Sequence, residues 1–191
     1  MSRLETAFAG LALLLVCAAT AAAEKVALIK IDGAIGPATA SYISRSIAEA
    51  ETQGAQCLVI ELNTPGGLLD STQKIVQSFL GSPVPVVVYV APTGGTATSA
   101  GCFITIAASV AAMAPATTLG AAPPVSLGGN PIGGAEKPDE PMKTQLENFS
   151  VAYFTTISAR RHRHDALAQA AFLDPGPVPV TTARRLPFLR P

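Results

Sequence analysis

The chain has 191 residues, of which 49% are hydrophobic and 14% charged, and its 13 Lys and Arg balance 13 Asp and Glu. This length and apolar content suit one packed domain, whereas zero net charge excludes the basic field that holds nucleic acid. Sixteen Gly and sixteen Pro are too few for a collagen-like or wholly disordered chain. We therefore expect a globular protein with no nucleic-acid partner.

The first 23 residues have the layout of a cleaved signal peptide. Arg3 supplies a positive start, residues 8–19 form an apolar run, and Ala21 and Ala23 are the small residues before the polar Glu24. The alternative, an uncleaved membrane anchor, needs about 20 apolar residues, more than this run provides. The pattern predicts export to the periplasm or the outer face of the cytoplasmic membrane.

Beyond this segment, short apolar runs alternate with segments of helical spacing. The predicted strands are residues 25–31, 57–62, 85–90 and 110–113. The predicted helices are residues 38–53, 68–80 and 97–108. This alternation is typical of parallel strands joined by crossover helices, and the predicted fold class is α/β.

The cysteines and histidines that follow the predicted signal peptide give no pattern of a metal or cofactor site. Cys57 and Cys102 lie in apolar runs, and the sequence leaves open whether they pair or stay free. No cluster of His, Cys or carboxylates has the spacing of metal ligands, so no metal is expected.

Two loops follow predicted strands at the sheet edge where α/β proteins place their chemistry. In Asn-Thr-Pro-Gly-Gly at 63–67, adjacent glycines let backbone N–H groups approach a ligand at a helix start. In the second loop, Ser99 begins an apolar helix, which is a suitable setting for a catalytic serine. Each loop also has a purely structural interpretation, as a tight turn and as a helix-capping serine respectively.

The order of Asn-Thr-Pro-Gly-Gly and Thr-Ser-Ala-Gly at 98–101, about 35 residues apart, closely resembles the ClpP and signal-peptide-peptidase superfamily of serine proteases. The resemblance is closer still to the N-terminal protease domain of the NfeD membrane proteins. An aromatic at Phe103, the segment 112–122 and a helix at 142–161 also resemble that family. The likeness runs from residue 25 to about residue 167.

This resemblance implies a ClpP/crotonase-like spiral of repeated strand-strand-helix units that cleaves peptide bonds with a Ser-Lys dyad. It makes Ser99 the nucleophile and assigns the oxyanion to backbone N–H groups at Gly66, Gly67 and Ala100. It further implies a peptide or protein substrate, in particular hydrophobic segments of a stomatin-like membrane protein. Because such domains commonly associate, we also expect a homo-oligomer.

The sequence leaves two assignments open for the general base. Lys143 lies near the start of the helix at 142–161, where the family carries its lysine. If Asn148 and Tyr153 set the register, however, the family's position holds Gln145, and two residues rotate a helix by about 200°. A glutamine cannot accept the proton, so this register predicts an inactive peptide-binding or membrane-complex assembly module.

Other bases are compatible with the order of residues along the chain. Lys137 lies in a Gly- and Pro-rich stretch before the helix. His162, His164 and Asp165 follow Ser99 in an order that suits a Ser-His-Asp triad. Both histidines lie in an arginine-rich cluster, which is also typical of a solvated turn at a helix C-terminus.

The last 18 residues hold five prolines and three arginines without periodicity. We expect this segment, 174–191, to be disordered. The predicted organisation is a signal peptide at 1–23, a ClpP-like protease domain at 24–173 and this tail. Family relatives continue through a further helix and strand, so we expect this domain to be truncated. The sequence leaves open whether it is a shortened or frame-shifted reading of a longer protein or has a genuine tail in place of those elements.

Overall fold

The computed structural model describes residues 24–120, 140–163 and 177–179. Its elements in chain order are β1 (Val26–Asp32), α1 (Pro37–Thr52), β2 (Cys57–Asn63), α2 (Leu69–Leu80), β3 (Val86–Val90), β4 (Thr96–Thr98), α3 (Ala100–Ala107), β5 (Val110–Met113), β6 (Thr118–Gly120), α4 (Glu140–Arg160) and β7 (Pro177–Pro179). The predicted signal peptide at 1–23 lies outside the described residues. Within them, no helix is both long enough and apolar enough to cross a membrane.

The main sheet has four parallel strands in the order β1-β2-β3-β5. Alternate residues of β2 and β3 are completely buried, so one face of the sheet forms the core. Each such aliphatic side chain contributes about 1.5–3 kcal/mol when it leaves water. The α/β class and the parallel sheet predicted from the sequence are confirmed.

Helices α1 and α2 pack against each other and present apolar stripes to the core. In α1 the stripe is Ala40, Ile43, Ile47 and Ala50, at the three- and four-residue spacing of one helix face. Pro37 starts this helix, where its missing N–H costs no hydrogen bond. The predicted boundaries of both helices are confirmed to within one residue.

The opposite face of the main sheet is partly exposed and mainly apolar. Val26 is 58% exposed, Leu28 67%, Val110 51% and Tyr89 37%. Parallel sheets normally bury both faces. This face, which we call the open sheet face, is therefore unusual for a parallel sheet.

The predicted helix at 97–108 begins too early. Residues Thr96–Thr98 form β4, which pairs in parallel with β6, and α3 starts only at Ala100. The Thr98 N–H donates to the Thr64 carbonyl, so this segment is held as strand by partners far along the chain. Strand β7 pairs antiparallel with β6 and lies within 174–191, where no regular structure is expected. The rest of that segment lies outside the described residues.

Helix α4 packs along α3 in the same direction. The Phe103 ring lies 5.7 Å from the rings of Tyr153 and Phe154. At the C-terminal end of α4, Arg161 Nε donates to the Ala107 carbonyl at 2.8 Å and Nη2 donates to the Phe79 carbonyl at 3.0 Å. Thus α4 runs in the same direction as α3, and its amino-terminal half extends toward the Ser99 end of that helix.

The arginine-rich cluster is not the solvated turn suggested by the sequence. Arg161 and Arg163 are half-buried, and Arg163 Nη2 donates to the Ala108 carbonyl at 2.7 Å. Burial, with a smaller effect from the neighbouring Arg161, lowers the Arg163 pKa to about 10. These guanidinium groups hydrogen-bond carbonyls at the C-terminal ends of α2 and α3, where cations are favoured.

Both described cysteines are free. Cys57 is half-buried, whereas Cys102 is completely buried in α3. Burial raises the pKa of the Cys102 thiol to about 12. The Cys102 thiol is therefore a neutral core group at physiological pH.

Candidate active site

Ser99 occupies a strained turn between β4 and α3. Its φ of 50° and ψ of −110° are rare for a residue other than glycine, and conformations of this kind cost about 1–3 kcal/mol. The eight residues of α3 behind it are all buried, whereas Ser99 itself is half-buried. A strained strand-to-helix turn that presents a serine hydroxyl is a known setting for a nucleophile.

Gly66 lies directly against Ser99. A Cβ atom at Gly66 would stand 3.0 Å from Ser99 Cβ and 3.3 Å from the Thr98 carbonyl oxygen. The φ of Gly66 is +122°, a region that side chains disfavour. The structure thus brings together the two loops singled out by the sequence.

Gly67 is required by a close approach of two backbone segments. The Ile35 N–H donates to the Gly66 carbonyl at 2.8 Å, and the Leu68 N–H donates to the Ile35 carbonyl at 2.9 Å. A Cβ atom at Gly67 would lie 2.0 Å from the Ile35 carbonyl oxygen. No side chain fits there, and Gly67 itself is half-buried.

The three backbone groups predicted to bind an oxyanion differ in their hydrogen bonding. The Gly66 N–H donates to Thr64 Oγ1 at 3.1 Å and is already engaged. Among the described residues, the N–H groups of Gly67 and Ala100 have no acceptor. Ala100 is the first residue of α3, where the helix supplies no partner and adds positive potential. Gly67 and Ala100 are thus the available pair of donors near Ser99.

Lys143 lies in the first turn of α4, and Gln145 is exposed. The core-facing residues of α4 include Ser150, Phe154 and Ile157. At about 100° per residue, position 143 falls within about 20° of Ser150 around the helix, whereas position 145 falls about 140° away. Gln145 therefore lies away from the core-facing side of α4.

The other candidate bases fall elsewhere. His162 is exposed and follows Arg161, which contacts the C-terminal end of α3, whereas Ser99 lies at its N-terminus. Eight helical residues separate those ends by about 12 Å. Lys137, His164 and Asp165 lie outside the described residues. In the parts of the chain that the structure describes, no group of three or more His, Cys, Asp or Glu could hold a metal ion.

One residue of the site was missed by sequence reasoning, although it lies inside the first loop motif. Thr64 is completely buried, and its hydroxyl hydrogen-bonds the Gly66 peptide on both sides. Its position between a strand and a glycine pair was the available signal, but the direction of its hydroxyl depends on the fold.

The parallel sheet and the serine turn facing a glycine loop define a ClpP-like protease fold. The chain matches the family model of the NfeD1b N-terminal domain over residues 25–148, and it belongs to that family. The family resemblance drawn from the two loop motifs is confirmed.

Curated relatives are longer than this chain. It is 35% identical over 145 residues to the membrane-bound protease PH1510 of Pyrococcus horikoshii, covering 75% of this chain and 32% of that protein. It is also 35% identical over 112 residues to the membrane protein NfeD1b of Bacillus subtilis, covering 59% of this chain and 25% of that protein. The chain thus spans a third or less of either relative.

Solved structures of the protease named 1510-N share the fold. A lysine-to-alanine variant in complex with a substrate peptide has a TM-score of 0.79 at 30% identity, covering 88% of this chain and 75% of that one. A serine-to-alanine variant, described as a membrane-bound stomatin-specific protease, has a TM-score of 0.77 at 29% identity, covering 87% and 78%. ClpP1 from Listeria monocytogenes, with a TM-score of 0.61, 15% identity and coverage of 83% and 85%, shares the fold alone.

Proposed function

We propose that the chain is a serine endopeptidase in which Ser99 is the nucleophile and Lys143 the general base. The observation that carries this proposal is the strained Ser99 turn, packed against Gly66 beside two unengaged N–H donors. The relative with a substrate peptide bound is a protease, and the variants made in it replace one serine and one lysine. This supports a serine and a lysine as the reacting pair.

The proposed steps follow from this arrangement. The neutral amine of Lys143 takes the Ser99 Oγ proton while Oγ bonds to the peptide carbonyl carbon. The negative oxygen that forms accepts hydrogen bonds from the Gly67 and Ala100 N–H groups. Lys143 then gives the proton to the leaving amine as the carbonyl re-forms and the C–N bond breaks, which leaves the acyl group on Ser99 Oγ. Water, deprotonated by the same lysine, bonds to the acyl carbon, and the bond from this carbon to Oγ breaks as Lys143 returns the proton to Oγ.

The helical phase of α4 supports Lys143 over Gln145. By helical phase, position 143 falls within about 20° of Ser150 and Phe154, and α4 extends toward the Ser99 end of α3. Gln145 is exposed on another side of the helix. As a general base, Lys143 requires desolvated surroundings, in which a neutral amine is favoured.

The test uses a fluorogenic peptide with an apolar sequence and four single variants. Ser99→Ala and Lys143→Ala should each lower kcat/KM by about 1000-fold or more, since members of a catalytic unit fail together. Gln145→Ala, two residues from the base, is the matched control and should match the native chain. An inert native chain in which Gln145→Lys creates activity would instead establish the inactive-module alternative. Cleavage that survives both Ser99→Ala and Lys143→Ala would refute the dyad.

The same proposal includes where the chain acts and on what. Residues 1–23 direct export and are cleaved before Glu24, which places the domain in the periplasm or on the outer face of the cytoplasmic membrane. The proposed substrates are apolar segments of a stomatin-like membrane protein, and the stomatin specificity of the 1510-N protease supports a substrate of that class. N-terminal sequencing of the periplasmic chain tests export, because an intact Met1 there would contradict cleavage.

A homo-oligomer is also part of this proposal. The open sheet face exposes Val26, Leu28 and Val110, and burying such a surface against a second copy removes apolar area from water. Mass measurement by light scattering across the micromolar range tests the assembly.

A further inference from the structure

Thr64 connects the glycine loop to the strand that leads into Ser99. Its N–H donates to the Thr96 carbonyl at 2.8 Å, and its own carbonyl accepts from the Thr98 N–H at 3.1 Å. The Thr96 hydroxyl donates to the same carbonyl at 3.2 Å. The backbone of Thr64 thus holds the loop in register with β4.

The Thr64 side chain touches both parts of the site that hold the unengaged donors. Its hydroxyl donates to the Gly66 carbonyl at 3.2 Å and accepts from the Gly66 N–H at 3.1 Å. Its methyl lies against the first turn of α3, since a Cβ atom at Gly101 would stand 2.5 Å from Thr64 Cγ2. A single buried residue therefore contacts the loop of Gly67 and the turn of Ala100.

Peptide planarity turns these contacts into an orientation for the oxyanion donor. The Gly66 carbonyl and the Gly67 N–H belong to the same peptide plane and point in opposite directions. The carbonyl is held by the Ile35 N–H at 2.8 Å and by the Thr64 hydroxyl. Because glycine offers little resistance to rotation, these two bonds decide the direction of the Gly67 N–H.

We propose that Thr64 is a positioning residue whose hydroxyl fixes the peptide between Gly66 and Gly67, so that the Gly67 N–H joins the Ala100 N–H in binding the oxyanion. The same hydroxyl occupies the Gly66 N–H, which leaves two donors rather than three. This inference rests on the proposed function of Ser99.

Two substitutions separate the hydroxyl from the rest of the side chain. Thr64→Val keeps the methyl against Gly101 and removes the hydroxyl, and it should lower kcat by about 10- to 100-fold with KM within about twofold. Thr64→Ser keeps the hydroxyl and should stay within about threefold of the native kcat. A Thr64→Val chain as active as the native chain, or a Thr64→Ser chain as impaired as Thr64→Val, would overturn the proposal.

A second readout needs no Thr64 variant. A peptide boronate forms a tetrahedral adduct with a reactive serine, so the amide NMR resonances of the oxyanion donors shift on binding. In the native chain, the Gly67 and Ala100 amide resonances should move downfield, and that of Gly66 should move least. A larger shift at Gly66 than at Gly67 would overturn the proposal.

The two levels of the proposal fail in different ways. A native chain that cleaves no peptide and forms no boronate adduct overturns the Ser99 assignment and the role of Thr64 with it. An active native chain whose Thr64→Val variant is equally active overturns Thr64 alone. In both Thr64 variants, thermal unfolding and the affinity for an uncleaved peptide in a Ser99→Ala background control for the fold and for substrate binding.

Discussion

Replacing Gly67 with alanine tests whether the glycine loop is held by contact with the segment after β1. The added Cβ would lie 2.0 Å from the Ile35 carbonyl oxygen and 2.6 Å from the Ile35 nitrogen. Both atoms belong to the backbone, so no side chain can swing aside. One of the two segments must move by about 1 Å or more to reach an ordinary contact distance.

This movement breaks specific hydrogen bonds. The Ile35 N–H bond to Gly66 and the Leu68 N–H bond to Ile35 contribute about 1 kcal/mol each. Overpacking adds about 1–3 kcal/mol. Gly67→Ala should therefore lower the free energy of unfolding by about 3–5 kcal/mol, which for a domain of this size lowers the thermal midpoint by about 6–20 °C.

The matched control is Gly81→Ala. Gly81 ends α2 with a φ of −93°, and an added Cβ there would stand an ordinary 3.5 Å from the Gln77 carbonyl oxygen. Its stability should stay within about 0.5 kcal/mol of the native chain. Thermal unfolding followed by circular dichroism measures both variants. If Gly67→Ala had the same thermal midpoint as Gly81→Ala, the close approach between the Gly67 and Ile35 backbones would be contradicted.

Three other regions give independent predictions. At pH 8, iodoacetamide should modify Cys57 and spare Cys102, because burial raises the Cys102 pKa from 9.0 to about 12 and lowers its thiolate fraction about 1000-fold. If mass spectrometry showed both thiols modified to the same extent, the burial of Cys102 would be contradicted. The Cys102 thiol ionises at a lower pH in the unfolded chain than in the folded chain. Its contribution to the free energy of unfolding should therefore be lost as the pH rises from 9.0 to about 12. Arg161→Met should lower the free energy of unfolding, measured with urea, by about 2–4 kcal/mol, because two hydrogen bonds to helix-end carbonyls disappear. Arg160 is exposed, so Arg160→Met should lower the free energy of unfolding by less than about 0.5 kcal/mol. Similar losses in the two variants would refute the role of Arg161 in holding α4 against α2 and α3. Leu28→Glu should reduce self-association measured by light scattering, and a native chain that is already monomeric would contradict assembly through the open sheet face.

Local apolar patterns predicted the main sheet well. The runs at 57–62, 85–90 and 110–113 correspond to β2, β3 and β5 with boundaries within one residue. Buried parallel strands are nearly continuous apolar runs bounded by turns, so neighbouring residues carry most of the signal.

Features that depend on distant partners were missed. The local pattern predicts helix across β4, because its partner β6 lies about 20 residues further along the chain. The arginine-rich pattern after α4 predicts a solvated turn, because the carbonyls that bind Arg161 belong to the distant helices α2 and α3. No local pattern encodes which helix ends will meet in the folded chain.

The site was partly accessible from the sequence for the same reason. The order of the two loop motifs indicated that Gly66 and Ser99 lie together, and the structure places them in contact. The distribution of N–H groups among partners was not accessible, since it depends on the direction of the Thr64 hydroxyl. The phase of α4 likewise becomes visible only through its buried residues, such as Phe154.

The most direct test of the Ser99 assignment is labelling of the purified chain with a fluorophosphonate, followed by intact mass measurement and peptide mapping. The proposed mechanism predicts one adduct, located on Ser99, absent from Ser99→Ala and formed much more slowly by Lys143→Ala. A folded native chain that forms no adduct, or an adduct that persists in Ser99→Ala, would contradict it.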